Sequence, residues 1–307
     1  MAARENSPVA EPAQRELIMS RVFNAPRSLV FKAWTDPKRL AQWWGPRGFT
    51  NPVCDLDVRP GGKIRVDMTG PDGMVHPMGG SFQEIVEPER IIFLSTAFED
   101  AAGNAKLKVH NTVLFEDLGK QTRVSLHAVV LYASPDMAFA LAGMEQGWRE
   151  SLQKLTETLA TDREIVAVRM FNAPPEIVWR VWTDPQHLAQ WWGPNGFTNT
   201  IQQMDVRPGG QWRHIMHGPD GRTYPNECVY SDVAKPKRLG YDHLSDPRFK
   251  VTVSFVAVHD QTEITMRMVF ESAALRKKVV DEHRAVEGLH QTLSRLAQHL
   301  SGLARNS

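Results

Sequence analysis

The chain has 307 residues, of which 42% are hydrophobic, and its 36 basic and 35 acidic side chains leave a formal charge of +1. This near balance, without a long run of one sign, is not typical of nucleic-acid-binding proteins, so we expect no nucleic acid as a partner. The length suits two domains of about 150 residues, and no stretch reaches the roughly 18 apolar residues of a membrane-spanning helix.

The first 14 residues are expected to form a disordered tail. They are polar, include Pro8 and Pro12, and lack the apolar segment of a signal peptide. Together with the lack of a spanning segment, this predicts a cytoplasmic protein.

The rest of the chain contains one pattern twice. Trp-Thr-Asp-Pro, Leu-Ala-Gln-Trp-Trp-Gly-Pro and Gly-Phe-Thr-Asn begin at positions 34, 40 and 48, and return at positions 182, 188 and 196, an offset of 148. The motifs Asp-Val-Arg-Pro-Gly-Gly and Gly-Pro-Asp-Gly keep the same offset. Because this period far exceeds the roughly 20 to 50 residues of solenoid repeats, it indicates a tandem duplication of a whole domain. We predict domains at 15–160 and 164–303, each with its own core.

Each copy shows the same predicted elements in the same order. A strand at 16–23 or 164–171 ends at Asn-Ala-Pro, and two short helices follow, the second starting at Asp36 with a proline next. Six strand-like segments then occupy 53–130, separated by turn sequences such as Pro-Gly-Gly. A long amphipathic helix closes each copy, at about 137–159 and 273–300. This order predicts an α+β fold in which one antiparallel sheet wraps one long helix.

The second copy is shorter in one place. It loses eight residues between Leu94 and Lys108, where the offset falls from 148 to 140, which indicates an exposed loop. The four residues 160–163 that separate the copies allow little independent motion, so we predict intramolecular pairing of the domains. A homo-oligomer remains an open alternative.

These motifs resemble the START-like superfamily (SRPBCC, helix-grip), and within it the branch of the activator of Hsp90 ATPase homologue 1 (AHSA1), here in double form. Trp-Trp-Gly-Pro and Arg-Pro-Gly-Gly are the most specific motifs, and the resemblance spans both copies almost end to end. It implies two tandem helix-grip domains of START/Bet v 1-like fold, each a curved antiparallel sheet around a C-terminal helix with a cavity between them. Members bind lipids, sterols, polyketides and other apolar molecules, and some are cyclases or hydrolases, so the fold alone does not decide the function.

The adjacent tryptophans of each copy are predicted to have different surroundings. Neighbours on a helix point about 100° apart, so we expect one tryptophan of each pair to be buried and the other, Trp44 or Trp192, to face the cavity mouth or the neighbouring domain. By strand alternation, Asn111 is the one polar residue on an otherwise apolar inner face of copy one. The same rule predicts that His214, Tyr241 and His243 of copy two face inward. The matching positions of copy one hold Val66, Phe93 and Ser95. The candidate ligand-binding residues are Trp44, Val66, Phe93, Asn111, Phe115, Met144, Trp148, Trp192, Trp212, His214, Tyr241, His243 and Phe255.

The leading functional prediction is a protein that binds a small apolar or amphipathic ligand in a cavity of about 300 to 1,000 Å³. The first alternative is a cyclase- or hydrolase-like enzyme in which His214 and His243, with Tyr241, act as general acid and base. The second is an Hsp90 co-chaperone-like surface contact, which the family name suggests.

Catalytic and cofactor signatures are missing from the sequence. It contains no His-Glu-x-x-His, Cys-x-x-Cys, Gly-x-Ser-x-Gly or P-loop motif, so no metal and no cofactor are predicted. Cys54 and Cys228 occupy different positions in the two copies, which argues against a shared disulfide or metal site. We predict two buried free thiols.

Overall fold

The computed structural model describes residues 15–100 and 102–305. The predicted disordered tail, 1–14, lies outside these residues. The chain divides between Leu159 and Ala160 into two compact units, called domain 1 and domain 2 below. The limits 15–160 and 164–303 remain our proposal for the two folded segments.

Within the described residues, domain 1 holds one antiparallel sheet of seven strands in the order β1-β7-β6-β5-β4-β3-β2. Its strands are β1 (Glu16–Phe23), β2 (Thr50–Leu56), β3 (Lys63–Thr69), β4 (Val75–Val86), β5 (Arg90–Glu99), β6 (Ala105–Asp117) and β7 (Thr122–Ala133). Helices α1 (Arg27–Thr35) and α2 (Pro37–Trp43) connect β1 to β2, which lie at opposite edges of the sheet. A 3-10 turn (Pro135–Met137) leads into the long helix α3 (Ala138–Thr158).

Domain 2 repeats this architecture over its described part, with a seven-stranded sheet in the order β8-β14-β13-β12-β11-β10-β9. Its strands are β8 (Glu164–Phe171), β9 (Thr198–Met204), β10 (Gln211–His217), β11 (Thr223–Ala234), β12 (Arg238–His243), β13 (Phe249–Val258) and β14 (Gln261–Phe270). Its helices are α4 (Pro175–Thr183), α5 (Pro185–Trp191), α6 (Ala273–His283) and α7 (Ala285–Arg305). The predicted α+β fold of two tandem helix-grip domains is confirmed.

The starts of the short helices follow from the sequence. The Asp36 carboxylate accepts hydrogen bonds from the backbone N–H groups of Lys38 (2.9 Å) and Arg39 (3.3 Å). Asp184 caps α5 in the same way, and a proline follows each aspartate. Both caps satisfy helix N–H groups that have no partner within the helix.

Each core lies between the inner face of a sheet and its helices. Trp43 and Trp191 are fully buried, and their indole N–H groups donate to Ala33 O (2.9 Å) and Val181 O (3.2 Å), which ties each pair of short helices together. Trp44 and Trp192 keep partial exposure, as their spacing predicts. On β7 the predicted inward set Val124, Leu126, Ala128 and Val130 is buried.

The predicted single helix at 273–300 is wrong. Arg284 adopts a left-handed conformation (φ 47°, ψ 43°) that separates α6 from α7. The apolar stripe Leu289, Leu293, Leu296 and Leu300 belongs to α7, whereas α6 buries only Val279 and contacts β8 and β14. The two segments are thus separate helices, and the helical hydrogen-bond pattern is interrupted at Arg284.

Two smaller expectations need comment. None of the described helices is long and apolar enough to cross a membrane. Both cysteines are free thiols, but only Cys228 is buried, whereas Cys54 is partly exposed.

Candidate functional site

Domain 2 contains a cavity of about 200 Å³ between the sheet and the start of α7. This volume lies below the predicted range. Strands β10 to β14, the loop after α5 and the α6–α7 junction form its walls. The lining residues are Trp192, Gly193, Pro194, Trp212, His214, Met216, Asn226, Cys228, Tyr241, His243, Phe249, Met266, Met268, His283, Ala285, Gly288, Leu289 and Thr292.

Domain 1 contains a smaller void, and only Trp44, Ile64, Met78 and Phe93 of its lining occupy positions equivalent to residues that line the domain 2 cavity. The void there measures about 20 Å³, room for about one water molecule, and its lining is Trp34, Leu40, Trp44, Leu56, Ile64, Met78, Phe82, Ile91 and Phe93. Trp148 of α3 stacks on Trp34 (ring centroids 6.0 Å apart) and meets Trp44 edge-on at 5.1 Å.

The residue that takes the place of Trp148 in domain 2 is Leu289. The two helices align through their neighbouring glycines, because Gly147 approaches Pro46 and Gly288 approaches Pro194. A leucine thus stands where domain 1 has an indole, and the smaller side chain leaves space beside the sheet.

The structure brings most of the domain 2 candidates together. Trp192, Trp212, His214, Tyr241 and His243 all line the cavity. Phe255 does not line it, because its ring packs against Trp179 (5.3 Å) and Trp182 (5.6 Å) on α4.

The domain 1 candidates do not form a comparable site. Only Trp44 and Phe93 line the small void, while Val66 and Phe115 are buried outside its lining. Met144 and Trp148 lie partly exposed on α3. Asn111 is buried, and its amide N–H group donates to Ser95 Oγ (3.0 Å) and Val109 O (3.1 Å).

His214 is the distinctive polar group of the cavity. The residue is 2% exposed, and its ring stacks on Trp212 at 4.4 Å with an interplanar angle of 13°. Neither ring nitrogen has a hydrogen-bond partner among the described residues, and neither does the indole nitrogen of Trp212. Burial, with a smaller contribution from His243, lowers the pKa of His214 to about 3, so the imidazole is neutral at pH 7.

His243 is held by the protein itself. Its Nδ1 lies 3.0 Å from Pro247 O and its Nε2 lies 2.9 Å from Asn226 Oδ1, while its ring stacks on Phe249 at 4.5 Å. Burial lowers the pKa of His243 more than the backbone hydrogen bonds of Pro247 and Ser245 raise it. Both nitrogens therefore lie within hydrogen-bond distance of a protein oxygen, and the single N–H of the neutral ring can donate to one of the two, in contrast to His214, whose nitrogens have no such neighbour.

Two further polar side chains of the lining are neutral at pH 7. Burial raises the pKa of the Cys228 thiol to about 12 and the pKa of Tyr241 well above its usual value of 10.0. No lysine, arginine, aspartate or glutamate lines the cavity within the described ranges. Over the same residues, no group of three or more His, Cys, Asp or Glu side chains could hold a metal ion.

A basic side chain on the long helix fixes one wall, which the sequence reasoning missed. Arg295 Nη1 donates to the carbonyl oxygens of Trp192 (3.2 Å), Gly193 (2.9 Å) and Pro194 (2.9 Å), and Nη2 donates to Gln190 O (3.1 Å). In domain 1, Lys154 Nζ approaches the equivalent carbonyls of Trp44 and Gly45 at 3.2 and 3.3 Å. A basic residue at the same repeat position in both long helices was the available signal.

The family model described as "Activator of Hsp90 ATPase homolog 1-like protein" (AHSA1) matches residues 24–160 and 172–301. These two segments cover most of the chain. The chain belongs to this family. Both AHSA1-like domains carry the Trp-Trp-Gly-Pro and Arg-Pro-Gly-Gly motifs, and the double match agrees with the predicted tandem duplication.

Several solved structures are similar to about half of the chain. A crystal structure of a Nitrosomonas europaea protein is 22% identical (TM-score 0.44), covering 48% of this chain and 99% of that one. A solution structure from Arthrobacter aurescens is 24% identical (TM-score 0.44), covering 46% and 87%. The AHSA1 protein of Silicibacter pomeroyi is 24% identical (TM-score 0.39), covering 46% and 95%. No curated protein sequence matches the chain.

Proposed function

We propose that domain 2 binds a small organic molecule whose apolar body fills the cavity and whose polar group meets His214. The observation that carries this proposal is the contrast between the copies. Domain 2 has a cavity of about 200 Å³ with an unpaired buried imidazole on its wall, whereas the void in domain 1, which shares only part of that lining, measures about 20 Å³ and has Val66 at the position of the imidazole. Leaving a buried polar group unpaired costs about 1 to 3 kcal/mol, so a ligand that satisfies it gains a specific advantage.

The volume limits the size of the ligand. An apolar cavity of about 150 Å³ can hold a benzene molecule, so the domain 2 cavity suits one substituted ring. A ligand of this size has about eight heavy atoms, and at about 0.5 to 1 kcal/mol per atom it would bind with a Kd between roughly micromolar and millimolar. The assay must therefore detect weak binding.

The test uses p-cresol as the probe and ligand-observed NMR of the full chain as the readout. Wild-type protein is expected to bind p-cresol, whereas Leu289→Trp, which installs the Trp148 counterpart, should weaken binding at least tenfold by filling the cavity. Equal binding by both proteins would contradict the proposal.

The control variant is the reciprocal change in domain 1. Trp148→Leu leaves the domain 2 cavity unaltered, so its p-cresol binding at that site should match the wild type. Thermal unfolding of both variants checks that a loss of binding does not reflect a loss of fold.

Two features favour binding over the acid–base alternative. A base with a pKa of about 3 removes protons poorly at neutral pH. The nitrogens of His243 are held by Asn226 and Pro247, which leaves none directed at a substrate. Contact with Hsp90, pairing of the domains and a homo-oligomer stay predictions, which a pull-down with purified Hsp90 and a solution mass measurement would check.

A further inference from the structure

We infer that the ligand of the domain 2 cavity is an uncharged phenol: one planar ring that bears a hydroxyl group. This inference rests on the proposed function, because it names the chemical class of ligand for the same cavity. It follows from the charge, the shape and the hydrogen-bonding capacity of the lining.

The charge of the lining argues for a neutral ligand. Within the described residues, no acidic side chain, lysine or arginine reaches the cavity. An ionised ligand would lose its hydration without gaining an opposite charge, which is far more costly than burying a hydroxyl group that finds a partner. Carboxylates and ammonium compounds are thus disfavoured.

The shape of the lining argues for a planar ring. Trp192 and Tyr241 meet Trp212 edge-on, at ring centroid distances of 5.1 and 5.4 Å. Met266 and Met268 contribute flexible thioethers, which make favourable contacts with aromatic rings. Aromatic walls arranged edge-on and stacked suit another flat ring, which can adopt either geometry.

The hydrogen-bonding capacity argues for a hydroxyl group. A neutral His214 presents one N–H donor and one nitrogen lone pair, and Trp212 adds an indole N–H donor. A hydroxyl group can donate to the lone pair and accept from one of the two N–H groups through the same oxygen atom, so it pairs two of these three groups. A carbonyl or ether oxygen can only accept, and would leave the lone pair without a donor.

The residues that would recognise the hydroxyl group differ between the two domains. The positions equivalent to Trp212 and His214 carry Ile64 and Val66 in domain 1, with the offset of 148. Both side chains are buried and have no polar group. Domain 1 therefore lacks, at these two positions, the indole and imidazole groups that would meet the hydroxyl group in domain 2.

The test compares four probes that share a methylphenyl body: p-cresol, toluene, 4-methylbenzoate and 4-methylbenzylammonium. Each Kd is measured by ligand-observed NMR on the full chain at pH 7. In the wild type we expect p-cresol to bind about tenfold more tightly than toluene, the effect of one to two net hydrogen bonds, and both ions to bind at least tenfold more weakly than p-cresol. His214→Phe keeps the ring but removes its nitrogens, so it should bind toluene and p-cresol equally.

A conservative variant separates a lost hydrogen bond from a lost fold. His214→Gln keeps one donor and one acceptor, so it should retain part of the preference for p-cresol. Tightest binding of either ion would overturn the phenol inference while the proposed function stands. Equal binding of toluene and p-cresol by the wild type would overturn the phenol inference and the proposed contact with His214, and would leave only the binding of an apolar body in the cavity. A wild-type protein that binds none of the four probes would overturn both.

Discussion

An imidazole that is buried without a partner is a burden on the stability of the domain that holds it. His214 has two such nitrogens, and the adjacent Trp212 has one. Functional sites often keep groups of this kind because a ligand satisfies them, whereas the empty protein bears their cost. A substitution that removes the His214 nitrogens should therefore increase the stability of domain 2 and decrease its preference for p-cresol over toluene.

We predict that His214→Phe raises the free energy of unfolding of domain 2 by about 1 kcal/mol, and at most about 3 kcal/mol, at pH 7, because the unpaired nitrogens are replaced by apolar atoms of similar volume. The change in the free energy of unfolding is measured by urea unfolding, with hydrogen exchange of the backbone amides of β10 to β12 as the readout. His243→Phe is the matched control and should destabilise the domain, since it breaks the contacts with Asn226 and Pro247. A His214→Phe variant less stable than the wild type would show that the imidazole has a partner.

The depressed pKa of His214 also predicts a pH dependence. An unfolded histidine takes up a proton below about pH 6.5, whereas the folded residue does so only near its pKa of about 3. The free energy of unfolding is thus independent of this titration above about pH 6.5 and decreases as the pH falls towards 3, with a slope that approaches about 1.4 kcal/mol per pH unit. Between pH 7 and 5 the stability difference between His214→Phe and wild type should grow, and a difference that is constant over this range would contradict the assignment.

At the scale of elements, the long helix of each domain holds the loop that follows the second short helix. The Arg295 guanidinium donates hydrogen bonds to backbone carbonyl oxygens at the C-terminus of α5. Positive charge is favourable there, and the last carbonyl groups of a helix have no partner within the helix. Since Trp192 lies in the same loop and lines the cavity, this attachment sets the position of one wall.

We predict that Arg295→Met weakens p-cresol binding several-fold and lowers the protection of backbone amides at 192–197, because it removes charge-assisted hydrogen bonds worth about 1.5 to 3 kcal/mol. Arg295→Lys should retain most of both properties, since Lys154 serves the same carbonyls in domain 1. Hydrogen exchange and ligand-observed NMR provide the measurements. Similar amide protection in the Met and Lys variants would count against this role.

The sequence predicted those elements whose signals are local. Asp36 followed by proline marks a helix start, and alternation along β7 identifies its buried face. The break at Arg284 has no such signal, because the polar run at 281–284 is equally compatible with the exposed face of a continuous helix. A left-handed arginine results from tertiary packing, which residue preferences do not encode.

At the scale of the whole molecule, each hydrophobic cluster found among the described residues belongs to one domain only. The cluster of domain 2 extends from Ile165 to Leu300 and includes both its sheet and α7. A domain that closes its own core is expected to fold without its neighbour.

We predict that segments 15–160 and 164–303, expressed separately, each unfold in a cooperative transition, and that only 164–303 binds p-cresol. Circular dichroism during thermal unfolding and ligand-observed NMR test the two statements. A segment that stays unfolded alone, or p-cresol binding by 15–160, would contradict them.

The duplication and the polar character of the second copy could be predicted from the sequence, but the volume of the cavities could not. His214, Tyr241 and His243 were placed inside by alternation alone, and the structure confirms their burial. The position of Trp148 depends on how it stacks on Trp34, and the absence of Phe255 from the cavity lining depends on how α4 packs. Both depend on three-dimensional contacts between elements far apart in the chain.

The junction at Arg284 has a consequence for the kinetics of exchange. A non-glycine residue in the left-handed region bears a strain of about 1 kcal/mol, and the residues on either side, His283 and Ala285, form part of the cavity wall. If α6 separates from the sheet, it gives up the apolar contacts of Val279, Leu275 and Val280 and the hydrogen bond from Arg276 Nε to Glu164 O (3.3 Å). The residence time of a bound molecule would then depend on how often this short helix lifts, so affinity and dissociation rate could be tuned by different residues.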